Sequence, residues 1–142
     1  MQNVYDPVRQ CWVLATPEEL VRQRWLKHMI ENLKFPREYL GVELELKSLP
    51  HLKDQLHLPR RRTDVICFAK GIHSDYPLFP LLLMECKAAS FGMDAILQVQ
   101  GYNEHVKAPF VAVVSKDQLI VRSKQGDLFE LPSYDVLLKA VL

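Results

Sequence analysis

The chain has 142 residues, a net charge of +1, 49% hydrophobic and 25% charged residues. That is one domain's length with enough apolar content for a core, and there is no global basic field to coat nucleic acid non-specifically. No run of ~20 apolar residues offers a membrane span, and no Cys-x-x-Cys or His-x-x-x-His pair offers a zinc site. Cys11, Cys67 and Cys86 are odd in number, two of them lie in apolar runs, and no signal peptide is read ahead of them. They predict reduced, packed thiols in a cytoplasm.

Tyr5-Asp6-Pro7 predicts a turn, and Cys11–Leu14 a short strand or extended arm. Thr16-Pro17-Glu18-Glu19 is a helix start, with Thr16 as N-cap, Pro17 in the first turn and Glu19 completing a capping box. Val21, Trp25, Met29 and Leu33 step by four beside Leu26 and Ile30, so the helix should run to about Leu33 with one apolar face. Trp25 on that face reads as core. Gly41–Leu49 alternates Val42, Leu44 and Leu46 against Glu43, Glu45 and Lys47, a strand with one solvated face. Residues 48–59 read as a polar loop or edge segment bounded by prolines. Arg60-Arg61-Arg62, the only dense basic run, leads into a strand over Asp64–Ala69.

After a turn region around Gly71 and Pro77, Pro80–Met84 reads as a strand buried on both faces and ending in Glu85-Cys86-Lys87. Met93 to about Lys107 predicts a helix stopped by Pro109. Phe110–Val114 and Gln118–Arg122 predict two strands. Gln125-Gly126-Asp127 is a turn, and Asp135–Val141 a short terminal helix. The order of helix, three strands, helix, strand, strand fits an α/β fold with a mixed sheet flanked by helices. No repeat, linker or low-complexity stretch divides it, so 1–142 reads as one domain.

Two charged positions stand where a core would not choose them. Asp64 is on the second of three consecutive strands and Glu85 on the third. Strands ~4.8 Å apart let two such carboxylates share a hard cation. Alternation points Lys87 to the face of Glu85 and Cys86 away from it. A lysine there would orient or deprotonate water, or stabilise charge on a phosphate. The plainer reading is a surface ion pair, Glu85 with Lys87 or Asp64 with Arg62. Glu19, Gln23, Leu26 and Ile30 share a helical face, so Glu19 beyond its capping role approaches the same region, with Glu18 the less favoured claimant. Gln98 and Tyr102 are one turn apart on the second helix. Arg61 and Arg62 stand where phosphate contact is geometrically open. His51, His57, His73 and His105 are scattered and carry no assigned chemistry.

Asp64, then Glu85-x-Lys87, preceded by Thr16-Pro17-Glu18-Glu19-Leu20-Val21-Arg22-Gln23 and followed by Gln98-x-x-x-Tyr102, resembles the PD-(D/E)xK nuclease superfamily. More narrowly it is similar to the nuclease domain at the N-terminus of the motor subunit of type I restriction enzymes. Thr63 stands where the superfamily's name has Pro, a position that varies within it. The resemblance spans roughly Thr16 to Ser115. It implies a restriction-endonuclease-like αβββαβ core and a DNA endonuclease that uses Mg²⁺, with Mn²⁺ as substitute. It implies Asp64 and Glu85 as metal ligands and Lys87 as a catalytic group. It also implies support of the metal or its water by Glu19, and of the site or DNA by Gln98 and Tyr102. In that family the domain is fused to a motor, but here no Gly-x-x-x-x-Gly-Lys-Ser/Thr phosphate loop is present. That leaves action alone, as a homodimer, or with separate motor and specificity subunits. Phe110–Arg122 and Asp135–Leu142 are the surfaces read as candidates for a dimer. The rival class is a catalytically silent module on the same fold that binds nucleic acid or a partner.

Overall fold

The computed structural model describes residues 2–142. The chain opens on a hairpin, β1 (Asn3–Asp6) and β2 (Cys11–Leu14), with Tyr5 opposite Trp12. The turn runs over residues 7–10, so Tyr5 and Asp6 of the predicted Tyr5-Asp6-Pro7 turn belong to the strand. Asp6 ends β1 fully buried, and its Oδ1 accepts the N–H groups of Val8 and Arg9 at 2.7 and 3.0 Å, a side-chain-closed turn.

Helix α1 (Pro17–Glu31) starts as the sequence implies, with the Glu19 N–H donating to Thr16 Oγ1 at 3.2 Å. The reciprocal half of the capping box does not form. The Thr16 N–H donates to the Leu14 carbonyl instead, leaving the Glu19 carboxylate for other partners. Val21, Leu26 and Met29 are buried along α1, which ends two residues short of Leu33 with Asn32 as C-cap.

Strand β3 (Leu40–Glu45) is shorter than the alternation predicts, because a 3₁₀ turn over Leu46–Ser48 takes over. That turn carries Leu46, Leu49 and Leu52 into the interior at 1% exposure or less. The segment that reads as a polar loop therefore supplies core. Strands β4 (Arg62–Lys70) and β5 (Leu78–Cys86) follow, then helix α2 (Met93–Val106). Strands β6 (Phe110–Val114), β7 (Leu119–Ser123) and β8 (Gly126–Leu128) precede helix α3 (Tyr134–Val141).

The six-stranded mixed sheet runs β3-β4-β5-β6-β7-β8, antiparallel except for the β5–β6 pair. That parallel pair needs a crossover, which α2 provides. One face, with Cys67, Leu82, Met84, Ala112 and Val114, packs against Leu26 and Met29 of α1 and Leu137 of α3. The other, with Ile66, Leu83, Val111 and Val113, packs against Ile96, Val99, Tyr102 and Val106 of α2. The two cores clamp β5, which is why its run of leucines does not alternate.

This narrows the candidate dimer surfaces. Phe110–Val114 is an interior strand, buried at every position, and α3 docks inward through Tyr134 and Leu137. Those residues complete this chain's own core, whereas Leu119 and Ile120 are half-buried and Val136 and Leu142 are exposed. Among the described residues, no helix is long and apolar enough to cross a membrane.

Leu83 is wholly buried in the α2-side core. Leu83→Ala is expected to cost about 2–5 kcal/mol of unfolding free energy, measured by urea denaturation. A loss below about 1 kcal/mol would show that the α2-side packing does not hold the sheet as described.

Candidate active site

Strands β4 and β5 pair with Ile66 opposite Leu83 and Val65 opposite Met84, so the next step of the register sets Asp64 across from Glu85. Both residues lie where the strands leave the core. Asp64 Oδ2 accepts the Cys86 N–H at 2.8 Å. Cys86 pairs with Val114 on β6, and the Lys87 N–H donates to the Val114 carbonyl at 2.8 Å, which ties this corner to the middle of the sheet. Glu85 Oε2 accepts from the Tyr102 hydroxyl on α2 at 2.5 Å.

Each carboxylate thus has one oxygen held and one left open. Among the described residues, Asp64 Oδ1 and Glu85 Oε1 accept no hydrogen bond and meet only longer ion pairs. Arg22 Nη2 stands 3.6 Å from Asp64 Oδ1. Arg61 Nη2 and Lys87 Nζ stand 3.5 and 3.9 Å from Glu85 Oε1. The Arg61 guanidinium lies over the Tyr102 ring at 4.2 Å, a cation–π contact that restrains both groups.

Burial pushes the Asp64 carboxyl up from its ordinary range, against the lowering effects of the Cys86 N–H, Arg22 and Lys87. Burial and then the Asp64 charge push Glu85 up, against Tyr102, Arg61 and Lys87. Two carboxylates in a drying corner repel, and the surrounding cations do not fully compensate. The donor set fits a hard cation, since Mg²⁺ is commonly held by one or two carboxylates with water and phosphate completing its shell. Among the described residues, no three His, Cys, Asp or Glu side chains gather as a metal-holding group. Two carboxylates are fewer ligands than a closed zinc cage supplies.

The other sequence-derived candidates divide. Lys87 stands at the rim, 31% exposed. The Glu19 carboxylate is buried and engaged by Arg9 Nη2 at 2.7 Å, Arg22 Nη1 at 3.0 Å and Gln23 Nε2 at 3.1 Å. It faces Arg22 rather than open space. Glu18 is the carboxylate of α1 that feels the site: burial and the Asp64 charge raise it, while Arg22 and Lys87 lower it. Tyr102 reaches Glu85, whereas Gln98, one turn earlier, is exposed. Arg61, also 31% exposed, sets its guanidinium over Tyr102 and 3.5 Å from Glu85. Arg62 is exposed and stands 3.8 Å from Glu43 and 4.0 Å from Glu45, not against Asp64.

Sequence reasoning missed Arg9, Arg22 and Glu43. Arg22 follows Glu19 by three residues, a spacing that pairs charges on a helix. Glu43 falls between Val42 and Leu44, which pair with Val65 and Thr63, and so lies across β4 from Asp64. Its backbone is left-handed, at φ 55°, which an alternating pattern does not reveal. Arg9 carried no signal.

The raised carboxyls set a sign for pH dependence. A carboxyl titrating higher in the fold than in the unfolded chain binds more protons when folded. This pair's contribution to stability is therefore fully present below the unfolded values, 3.8 for Asp and 4.5 for Glu. It is lost as pH rises through the elevated folded ones. Asp64→Asn removes one charge and keeps an oxygen for the Cys86 N–H. In EDTA, the variant's Tm should fall less than the parent's between about pH 5 and pH 8. Parallel Tm curves would show that the two carboxylates do not repel.

A family model described as type I restriction enzyme R protein N terminus matches residues 17–131. No curated protein and no solved structure matches the chain. The matched stretch holds α1, the whole sheet and α2, with Asp64, Glu85, Lys87 and Tyr102, and leaves out the β1–β2 hairpin and α3. The chain belongs to the family of type I restriction enzyme R protein N-terminal domains.

Proposed function

We propose that this chain is a Mg²⁺-dependent DNA endonuclease domain that hydrolyses phosphodiester bonds, with Mn²⁺ as a working substitute. The observation that carries the reading is the pair of carboxylate oxygens without a hydrogen bond, Asp64 Oδ1 and Glu85 Oε1, on a half-buried and a buried acid of adjacent strands with Lys87 beside them. A binding module gains nothing from two repelling carboxylates sunk beside its core. A site that must bind a divalent cation gains its ligands that way.

Mg²⁺ bound there would polarise a phosphate oxygen and make a bound water more acidic. The chain's own groups do the rest. The Cys86 N–H holds Asp64 by Oδ2, and Tyr102 holds Glu85 by Oε2, which leaves Oδ1 and Oε1 for a ligand. Lys87, pulled toward Glu85 but partly exposed, orients the attacking water or takes its proton, and offsets charge on the phosphate. Glu18 is a further carboxylate at the rim for that water, in place of the engaged Glu19. Arg62 and the exposed Arg60 are left for the DNA backbone, since Arg61 is occupied by Tyr102 and Glu85.

The net charge of +1 gives little long-range pull on DNA. Productive cleavage therefore draws on a second site or on separate motor and specificity subunits that deliver DNA, as the R-protein family suggests. The proposed setting is the cytoplasm, where its three free thiols would stay reduced.

Plasmid cleavage with Mg²⁺ tests the reading, with a partner complex supplied where the chain alone is idle. Lys87→Ala should lose about 100-fold or more in rate while keeping its melting profile. Lys87→Arg should not rescue it, because a guanidinium does not release a proton near neutral pH. DNA binding without any Mg²⁺-dependent cleavage would favour the silent-module reading.

A further inference from the structure

Arg22 is an unusual neighbour for a site read as a cation centre. It is 3% exposed, and its Nε has no hydrogen-bond partner. Its guanidinium faces four acids: Glu19 at 3.0 Å, Glu43 at 3.5 Å, Asp64 at 3.6 Å and Glu18 at 3.8 Å. Only Glu19 is at close contact. Glu19 is in turn gripped by Arg9 at 2.7 Å, and Arg9 Nε by the fully buried Asp6 at 2.6 Å. The charges alternate along Asp6, Arg9, Glu19, Arg22 and Asp64, from the turn of the N-terminal hairpin to the open oxygen of the candidate site.

We infer that Arg22 is a built-in counter-ion for Asp64, and that the Asp6–Arg9–Glu19 clamp of the hairpin positions it so that the site's affinity for a divalent cation is held down. The inference rests on the reading of Asp64 and Glu85 as metal ligands and concerns what regulates that site. Arg22 is a positioning residue: it offsets the Asp64 charge from 3.6 Å, too far for a hydrogen bond, so Oδ1 keeps its lone pairs for another partner. An arriving cation meets a fixed positive charge next to one of its ligands, which weakens binding. The same charge spares the empty site part of its carboxylate repulsion. Asp6 and Arg9 lie outside the residues that match the family, 17–131. This end of the clamp is therefore supplied by a segment that the matched family region does not include.

A structural role and an electrostatic one make opposite demands on a variant. If Arg22 only holds the fold, its loss should weaken both stability and metal binding. If it is a counter-ion, its loss should destabilise the empty protein yet tighten the metal. The experiment compares the parent, Arg22→Gln, Arg9→Gln and Asp64→Asn by Mn²⁺ calorimetry and by thermal melting in EDTA and in Mn²⁺. Arg22→Gln should melt lower in EDTA and bind Mn²⁺ about tenfold tighter. Arg9→Gln frees Glu19 to draw Arg22 from Asp64, so it should move both readouts the same way, with affinity up about twofold to threefold. A folded Arg22→Gln with unchanged or weaker Mn²⁺ binding overturns the inference. If that variant does not fold, Arg9→Gln decides, and unchanged affinity there overturns it. A parent that binds Mn²⁺ no better than Asp64→Asn removes the metal centre itself, and this inference with it. Parent binding that Asp64→Asn abolishes but neither arginine variant alters removes the inference alone.

Discussion

The structure around the site turns on one electrostatic conflict: two carboxylates are placed opposite each other where β4 and β5 leave a dry core. The antiparallel register enforces it, because fixing Val65 against Met84 leaves Asp64 nowhere to go but across from Glu85. Neither carboxylate is free to rotate away. The Cys86 N–H holds one and the Tyr102 hydroxyl the other. Burial raises both acids, and the cations around them stand at 3.5 Å or more, near enough to help and too far to neutralise.

The surrounding elements are arranged to sustain that conflict. Strand β5 is gripped between two cores, so its end is rigid where Glu85 and Lys87 project. Helix α2 makes the parallel crossover and, in doing so, delivers Tyr102 to Glu85. Helix α1 crosses the other face and brings Arg22 and Glu18 toward Asp64. The hairpin backs α1 through Arg9. A like-charged pair that costs stability is maintained by neighbours on three sides, which fits a site built for a ligand better than an accident of packing.

Much of the fold was legible because its signals were local. Thr16 and Pro17 announced α1, the unbroken apolar run announced a doubly covered β5, and Pro109 marked the end of α2. Asp64, Glu85 and Lys87 stood out because they interrupt apolar strands at their ends, and the structure brings Lys87 beside Glu85 and the register sets Asp64 across from it. What failed was non-local. The 3₁₀ turn after Glu45 redirected Leu49 and Leu52 inward, and a polar loop pattern hides two buried leucines. Glu19 looked like a capping-box partner, but its neighbours Arg9 and Arg22 are stronger partners than one backbone N–H. Arg61 read as a phosphate contact because the arginine run says nothing of which residue will stack on Tyr102. The apolar content of β6 suggested a second copy, but the chain buries that strand in its own core.

The central claim is that Asp64 and Glu85 present their open oxygens to one shared divalent cation. Crystals soaked in Mn²⁺ and measured for anomalous scattering test it directly. The account predicts a single strong peak about 2 Å from both Asp64 Oδ1 and Glu85 Oε1, with Arg22 beside it rather than bound to Asp64. A peak elsewhere, or none at this corner in well-soaked crystals while Arg22 closes onto Asp64 Oδ1, would contradict it.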